Sequence, residues 1–159
     1  MTSRLPQLGR RGEGWVALQM VLVAAMVVAG TRGRKWPSAS RGVRMAAAGL
    51  SGLGGLYLFG DGVGRLGRQI TSFPKPVEEG SVKSTGAYGL VRHPMYGGVL
   101  LMTLAGSLVS APLALVPWTM AAGFLDAKRR REEAWLVDEH PDYEEYRTSV
   151  RHSLIPFVW

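Results

Sequence analysis

The sequence predicts an all-α integral membrane protein: a bundle of about four transmembrane helices, the last two forming a C-terminal helical hairpin, with a small cytosolic cap. Three observations carry this. Charged residues are 19% of the 159-residue chain, an ordinary share for a soluble domain, yet none falls at positions 15–30, 45–60 or 94–125. A soluble core rarely needs such runs, whereas a bilayer does. The basic residues behind the net charge of +7 gather at the ends of those runs: Arg10 and Arg11, Arg32, Arg34 and Lys35, Arg65 and Arg68, and Lys128, Arg129, Arg130 and Arg131. Cations there match anionic headgroups and set topology, so the basic balance is assigned to membrane lipids and not to nucleic acid. Finally, the 94–125 run would reach roughly 48 Å as one straight helix, too long for a single crossing, so it must turn.

The chain reads as one domain, 1–159, with N-terminal helices in 1–60 and the polar motifs in 80–157. The first expected span is 15–30. Arg4, Arg10 and Arg11 before it and Val27, Val28 and Ala29 at its end imitate a secretory signal, but a retained helix is expected, since its removal would leave few spans. The second span, 43–60, carries Gly49, Gly52, Gly54, Gly55 and Gly60, which lower helix propensity but let neighbouring backbones approach. The 61–92 linker, rich in Gly, Pro, Ser and Thr, reads as mostly irregular with a short helix near 62–70. Spans three and four, 95–110 and 112–125, are joined at Ser110, Ala111 and Pro112, where proline restricts the residue before it and interrupts the hydrogen-bond ladder. Beyond them the pattern turns charged, with a helix expected over 127–139 and a fresh start after Pro141 for 143–150.

Orientation follows from the basic loops. Arg65, Arg68, Lys75, Lys83 and Arg92 in the linker and the Lys128 to Arg131 group place both on the cytosolic side. Four spans then leave Arg32, Arg34, Lys35 and Arg41 on the outer side, against the rule. With no cysteine in the chain there is no disulfide framework, thiolate metal site or cysteine nucleophile.

The sharpest local signal is Gly86-Ala87-Tyr88-Gly89-Leu90-Val91-Arg92-His93-Pro94-Met95-Tyr96, a polar cluster leading into a membrane helix. Pro94 suits a first helical turn, whose N–H groups and dipole can hold an anion such as a carboxylate, and Arg92 and His93 add side-chain donors. An interfacial helix start with an aromatic belt accounts for the same residues. A second polar group, Arg129, Arg130, Arg131, Glu132 and Glu133, follows the fourth span; alone it reads as a stop-transfer cluster with solvated carboxylates. The hairpin brings position 94 back to position 126, so the His93 and Glu133 regions are expected to be neighbours. A carboxylate pair beside an anion-binding helix start suits a zwitterionic cofactor carrying a ribose.

Ser84-Thr85-Gly86-Ala87-Tyr88, then Arg92-His93-Pro94-Met95-Tyr96, an apolar hairpin, Glu132-Glu133, Tyr143, Tyr146, Val150 and Ile155-Pro156 resemble, in order, the signature of the isoprenylcysteine carboxyl methyltransferase and phospholipid methyltransferase type of membrane enzyme. The resemblance covers about residues 80–157. It implies membrane helices with a cytosolic cap and an S-adenosylmethionine site to which Gly86, Tyr88, His93, Pro94, Met95, Tyr96 and either Glu132 or Glu133 correspond. Arg129 corresponds to an arginine facing the substrate. The chain departs from the pattern at His140-Pro141, where members often carry Phe-Gly, and at Arg151, where a proline is common.

The implied reaction is in-line attack of a substrate oxygen, nitrogen or sulfur on the cofactor's methyl group, with alignment contributing roughly 7–11 kcal/mol. A carboxylate acceptor, positioned by Arg129, needs no base; an amine or phenol needs one, for which Glu132, Glu133 and His140 are candidates. Two other readings fit parts of the pattern: an NADPH-dependent membrane lipid or sterol reductase, which shares an Arg-His-x-x-Tyr element, and a non-enzymatic membrane accessory protein.

Overall fold

A computed structural model describes residues 13–67 and 83–159, and among these the apolar runs fold as four long helices. Helix α1 (Glu13–Arg32) has an acidic residue in its first turn and a basic one in its last, the arrangement the helix dipole favours. Helices α2 (Arg41–Leu66), α4 (Pro94–Ser110) and α5 (Leu115–Glu139) complete the bundle, with short α3 (Ala87–Leu90) and α6 (Tyr143–Ser149) at the polar end. No strand occurs among the described residues, so the all-α expectation holds.

Of the four expected spans, one meets the needs of a bilayer crossing by length and composition. Helix α1 has 20 residues and a mean hydropathy of 1.9, and at 1.5 Å per residue it is about 30 Å long. Helix α4 is apolar but has 17 residues. Glycines and small residues dilute α2, and α5 is apolar only up to Leu125.

The hairpin turns where proline predicts. Helix α4 ends at Ser110, Ala111 is extended at φ −157° and ψ 147°, and a 3₁₀ turn over Pro112–Ala114 leads into α5. Trp118 Nε1 donates to the Leu100 carbonyl at 2.9 Å, tying the two arms together. Two expectations require correction. The helix foreseen over 127–139 is not separate, because α5 runs unbroken to Glu139: no Gly or Pro falls between Phe124 and Glu139, and Asp126 accepts from Arg129 and Arg130 one turn on. The short helix foreseen near 62–70 is, as far as Leu66, the end of α2; residues 68–70 lie outside the described residues.

Helix α4 lies between α2 and α5, and α1 packs on α5. The α2–α4 approach requires glycine on both sides: a Cβ on Gly55 would meet the Gly98 carbonyl oxygen at 2.8 Å, and one on Gly98 would meet the Gly55 carbonyl oxygen at 2.8 Å. Gly49 and Gly60 face open space, so packing accounts for only part of the glycine run. Trp15, Leu22, Leu100, Phe124, Leu125 and Leu154 form a core shared by α1, α4, α5 and the tail. Large apolar side chains also point outward, among them Met20, Val21 and Val27 on α1, Leu50, Leu53 and Leu56 on α2, and Val116 and Met120 on α5.

At the hairpin-tip end, Arg44 donates to the Leu108 carbonyl and Trp36 Nε1 donates to the Ser107 carbonyl at 3.0 Å. The Arg44 guanidinium lies over the Trp36 ring, 5.5 Å from its centroid. A cation at the carbonyl end of α4 complements its dipole, so one basic residue near the anomalous 31–42 loop has a structural partner independent of topology.

Candidate functional site

The polar residues of the bundle converge where α4 begins and α5 leaves its apolar half. Beyond its own apolar run, α2 supplies Asp61 and Arg65. The Asp61 Oδ2 atom accepts from the Ala87 amide at 2.7 Å and from Arg65 Nε at 2.6 Å, and Arg65 Nη1 donates to Thr85 Oγ1 at 2.8 Å. The hydrogen bond from Arg65, then that from Ala87, holds the Asp61 carboxyl below the usual range. Gly86 sits under this pair with φ +61°, and a Cβ there would lie 2.0 Å from Arg65 Nε. The backbone conformation therefore favours glycine, and a Cβ would displace the Arg65 guanidinium.

Arg92, Glu133 and the C-terminal tail form one buried unit. Arg92 Nε lies 3.0 Å from Glu133 Oε1; Nη1 donates to the carbonyls of Val150 at 2.7 Å and Arg151 at 2.9 Å, and Nη2 donates to Ser153 Oγ at 2.7 Å. The amides of Arg92 and His93 donate to the carbonyls of His152 and Ser153. Arg92 is therefore a staple whose donors are engaged inside the protein, not the anion donor that its place before a helix start suggests.

His93 stands between the two acids, with Nε2 3.1 Å from Glu133 Oε1 and Nδ1 3.7 Å from Glu132 Oε2. Its ring is stacked on Tyr96 at 5.5 Å with an interplanar angle of 2°, and the Tyr96 hydroxyl donates to Glu132 Oε2 at 2.8 Å. Burial alone would raise the Glu133 pKa, but the hydrogen bond and charge of His93, followed by Arg92, outweigh it and hold the carboxyl at about 2. Arg129 Nη1 adds a contact at 3.5 Å to Glu133, while its Nε and Nη2 engage Asp126 Oδ1 at 2.8 and 2.6 Å. The two glutamates thus differ: Glu133 is enclosed by Arg92, His93 and Arg129, whereas the Glu132 side chain keeps 24% exposure.

Four tyrosines surround the acids. The Tyr146 hydroxyl donates to the Tyr88 carbonyl at 2.7 Å, which docks α6 under α3. Tyr88 is partly buried, and burial, then the charge of Glu132, pushes its hydroxyl pKa up. Tyr143, 3% exposed, has a buried hydroxyl with no hydrogen-bond partner among the described residues. Burial and the charges of Glu133 and Glu132 raise its pKa, so it stays a protonated donor.

Of the predicted site residues, Tyr88, His93, Tyr96, Glu132, Glu133 and Arg129 come together, with Gly86 at the rim. Pro94 is fully buried as the first residue of α4, and Met95 packs toward Gly62 of α2, so neither directs a side chain into the cluster. Sequence reasoning missed Lys128. Read as part of the basic group that meets headgroups and sets topology, it is 1% exposed, with Nζ 3.0 Å from Gln19 Oε1 and 5.0 Å from the Tyr96 ring centroid. Burial lowers its pKa. Arg131 is also buried, over Trp135 at 4.4 Å. The missed signal is spacing: 121, 125, 128 and 132 recur on one face of a helix, the face that carries Leu125 and Glu132. Asp61 and Arg65, at i and i+4, were equally legible as a pair.

No family model, curated protein or solved structure compared with the chain matches it.

Proposed function

We propose that the protein is a multi-pass membrane methyltransferase that uses S-adenosylmethionine to methylate a hydrophobic, membrane-resident acceptor, with its active site facing the cytosol. The observation that carries this reading is an acidic and aromatic cluster, Glu132, Glu133, His93, Tyr88, Tyr96 and Tyr143, set at the polar end of an apolar hairpin and containing an orphaned buried hydroxyl. A buried polar atom without a partner is uncommon and calls for a ligand or water.

The donor set suits the cofactor. Glu132, partly exposed, would accept from ribose hydroxyls or the ammonium group, Tyr143 would donate, and the tyrosine rings offer faces to a planar base. When bound, S-adenosylmethionine supplies an electrophilic methyl group on a sulfonium centre. Glu133, held anionic, orients His93 and anchors the tail. Arg129, fixed by Asp126, would position an acceptor carboxylate, and such an acceptor requires no base.

Membrane residence is supported by α1 and by the outward apolar side chains on α1, α2 and α5, since a monomer in water rarely presents large continuous apolar patches. Four crossings would put the cluster, the basic end of α5 and α6 on one side. An apolar acceptor would enter laterally while the polar cofactor enters from the cytosol.

The test is isothermal titration of detergent-purified protein with S-adenosylhomocysteine and, in parallel, NADPH, for wild type, Glu132→Gln and Tyr143→Phe. Saturable binding of the former, weakened in both folded variants, is expected. Saturable NADPH binding would move the reading to a reductase, and binding of neither ligand to an accessory protein.

A further inference from the structure

Residues 153–159 form a tightly fixed turn at the polar end of the bundle. The amides of Ser153 and Leu154 donate to the Trp159 carbonyl oxygen at 2.7 and 3.0 Å, and the Trp159 amide donates to Ile155 at 3.0 Å. Leu154 is fully buried, its carbonyl oxygen occupying the place a Cβ on Gly97 would take. Trp159 packs on the core and its Nε1 donates to Asp126 Oδ1 at 3.2 Å. The turn then presents Phe157, 85% exposed, and Val158, 78% exposed, to the outside. Phe157 has φ +63°, a conformation that costs energy for a bulky residue and persists where its surroundings over-determine it.

The position of this turn says what covers it. Gly97 lies in the first turn of α4 and Asp126 directly after the apolar half of α5, so both anchors mark the level where apolar helix gives way to charge. The Phe157 ring meets the His152 ring edge-on at 5.7 Å, and basic residues stand at the anchors of the turn. Arg151 is exposed, and Arg130, its side chain 63% exposed, shares Asp126 with Trp159. Asp126 itself is neutralised by Arg129 and Arg130. A rigid aromatic and aliphatic tip on a turn whose Asp126 anchor also holds Arg129 and Arg130 is complementary to an anionic lipid surface, where apolar groups enter the headgroup–acyl boundary and cations meet phosphates.

We propose that Phe157 and Val158 form a prong that docks in the interface of an anionic bilayer and fixes the depth of the catalytic end. The inference rests on the membrane reading above. Docked, the side chains lie roughly 5–10 Å into the headgroup–acyl boundary, well short of the middle of α1.

The chain contains no cysteine, so single-cysteine labelling needs no background removal. Phe157→Cys, Val21→Cys on α1 and Glu144→Cys on α6 are each coupled to an environment-sensitive fluorophore and reconstituted into phosphatidylglycerol-containing vesicles. The lipids are brominated either near the headgroup or near the chain end. The expected result is strong quenching of the 157 probe by shallow bromines, quenching of the 21 probe by deep bromines and none of the 144 probe. Replacing phosphatidylglycerol by phosphatidylcholine should weaken shallow quenching at 157 alone. A silent 157 probe beside a deeply quenched 21 probe overturns the prong and leaves the membrane reading intact. Silence at both positions overturns the membrane reading and the prong with it.

Discussion

Arg92 and Glu133, 41 positions apart in the chain, meet at 3.0 Å with both side chains 8% exposed. Their contact locks the start of α4 to the polar half of α5, and through the other Arg92 donors it locks both to the tail. Removing one partner of a buried ion pair leaves an uncompensated charge, which costs about 3–5 kcal/mol. Arg92→Ala should therefore lower stability by about that amount, measured by chemical denaturation in detergent. Glu132→Gln, at a partly exposed acid, should cost less than about 1 kcal/mol. A small loss for Arg92→Ala would show that the staple is not energetically coupled to the bundle.

The same carboxylate gives a pH dependence of defined sign. The folded Glu133 pKa of about 2 lies below the ordinary value of 4.5, so the folded state favours the anion. Its contribution is complete above about pH 4.5 and is lost as pH falls toward 2. Wild type should lose stability across that window, and Glu133→Gln, already weakened, should show a shallower decline. Urea midpoints read from pH 6 downward in detergent test the difference; parallel curves for the two proteins would remove Glu133 from the acid response.

Two glycine substitutions separate packing from propensity. A Cβ on Gly55 meets the Gly98 carbonyl and the Met102 backbone nitrogen at 2.8 and 2.9 Å, so Gly55→Ala must push α2 off α4 and should cost about 1–3 kcal/mol. Gly60, in the same helix, faces open space, and Gly60→Ala should stabilise by about 0.4–1 kcal/mol through helix propensity and chain entropy. Thermal melts of both variants check the contrast; equal shifts would mean that the α2–α4 contact is looser than the backbone distances indicate.

The helices were legible because charge-free runs, bounding cations and Pro112 are local signals. The pairing of His93 with Glu133 was legible for the same reason, since a hairpin turning at 110–112 must return position 126 to position 94. Arg92 was misread because its sequence neighbours show a helix start, while its partners, Val150, Arg151 and Ser153, come from a tail whose path depends on the Gly97 notch. Lys128 was misread because hydrophobicity averaged over a segment hides the inward face of a charged helix. The 121, 125, 128 and 132 spacing puts Lys128 on the inward face, but its partners, Gln19 of α1 and Tyr96 of α4, are fixed only once three helices meet.

Asp61 offers a test of whether the 84–87 segment must be held for ligand binding. Its single carboxylate joins α2 to the Ala87 amide and also fixes Arg65, which reaches Thr85 and covers Gly86. The Arg65 contacts are exposed, and the bond to the buried Ala87 can still be accepted by the asparagine oxygen, so Asp61→Asn should leave the melting temperature of the bundle close to wild type. It should nonetheless free the loop that carries Tyr88 and weaken S-adenosylhomocysteine binding, because ordering that loop must then be accomplished by the ligand. Arg65→Lys, which keeps the charge but not the fork that spans Asp61 and Thr85, should show a smaller loss of the same kind. Hydrogen exchange at Ala87, whose amide bonds to a charged oxygen that Asp61→Asn replaces by a weaker neutral acceptor, reports the loop directly. Faster exchange at Ala87 with unchanged affinity would mean that the latch serves the fold alone, whereas faster exchange with weaker binding would make Asp61 a positioning residue for the site.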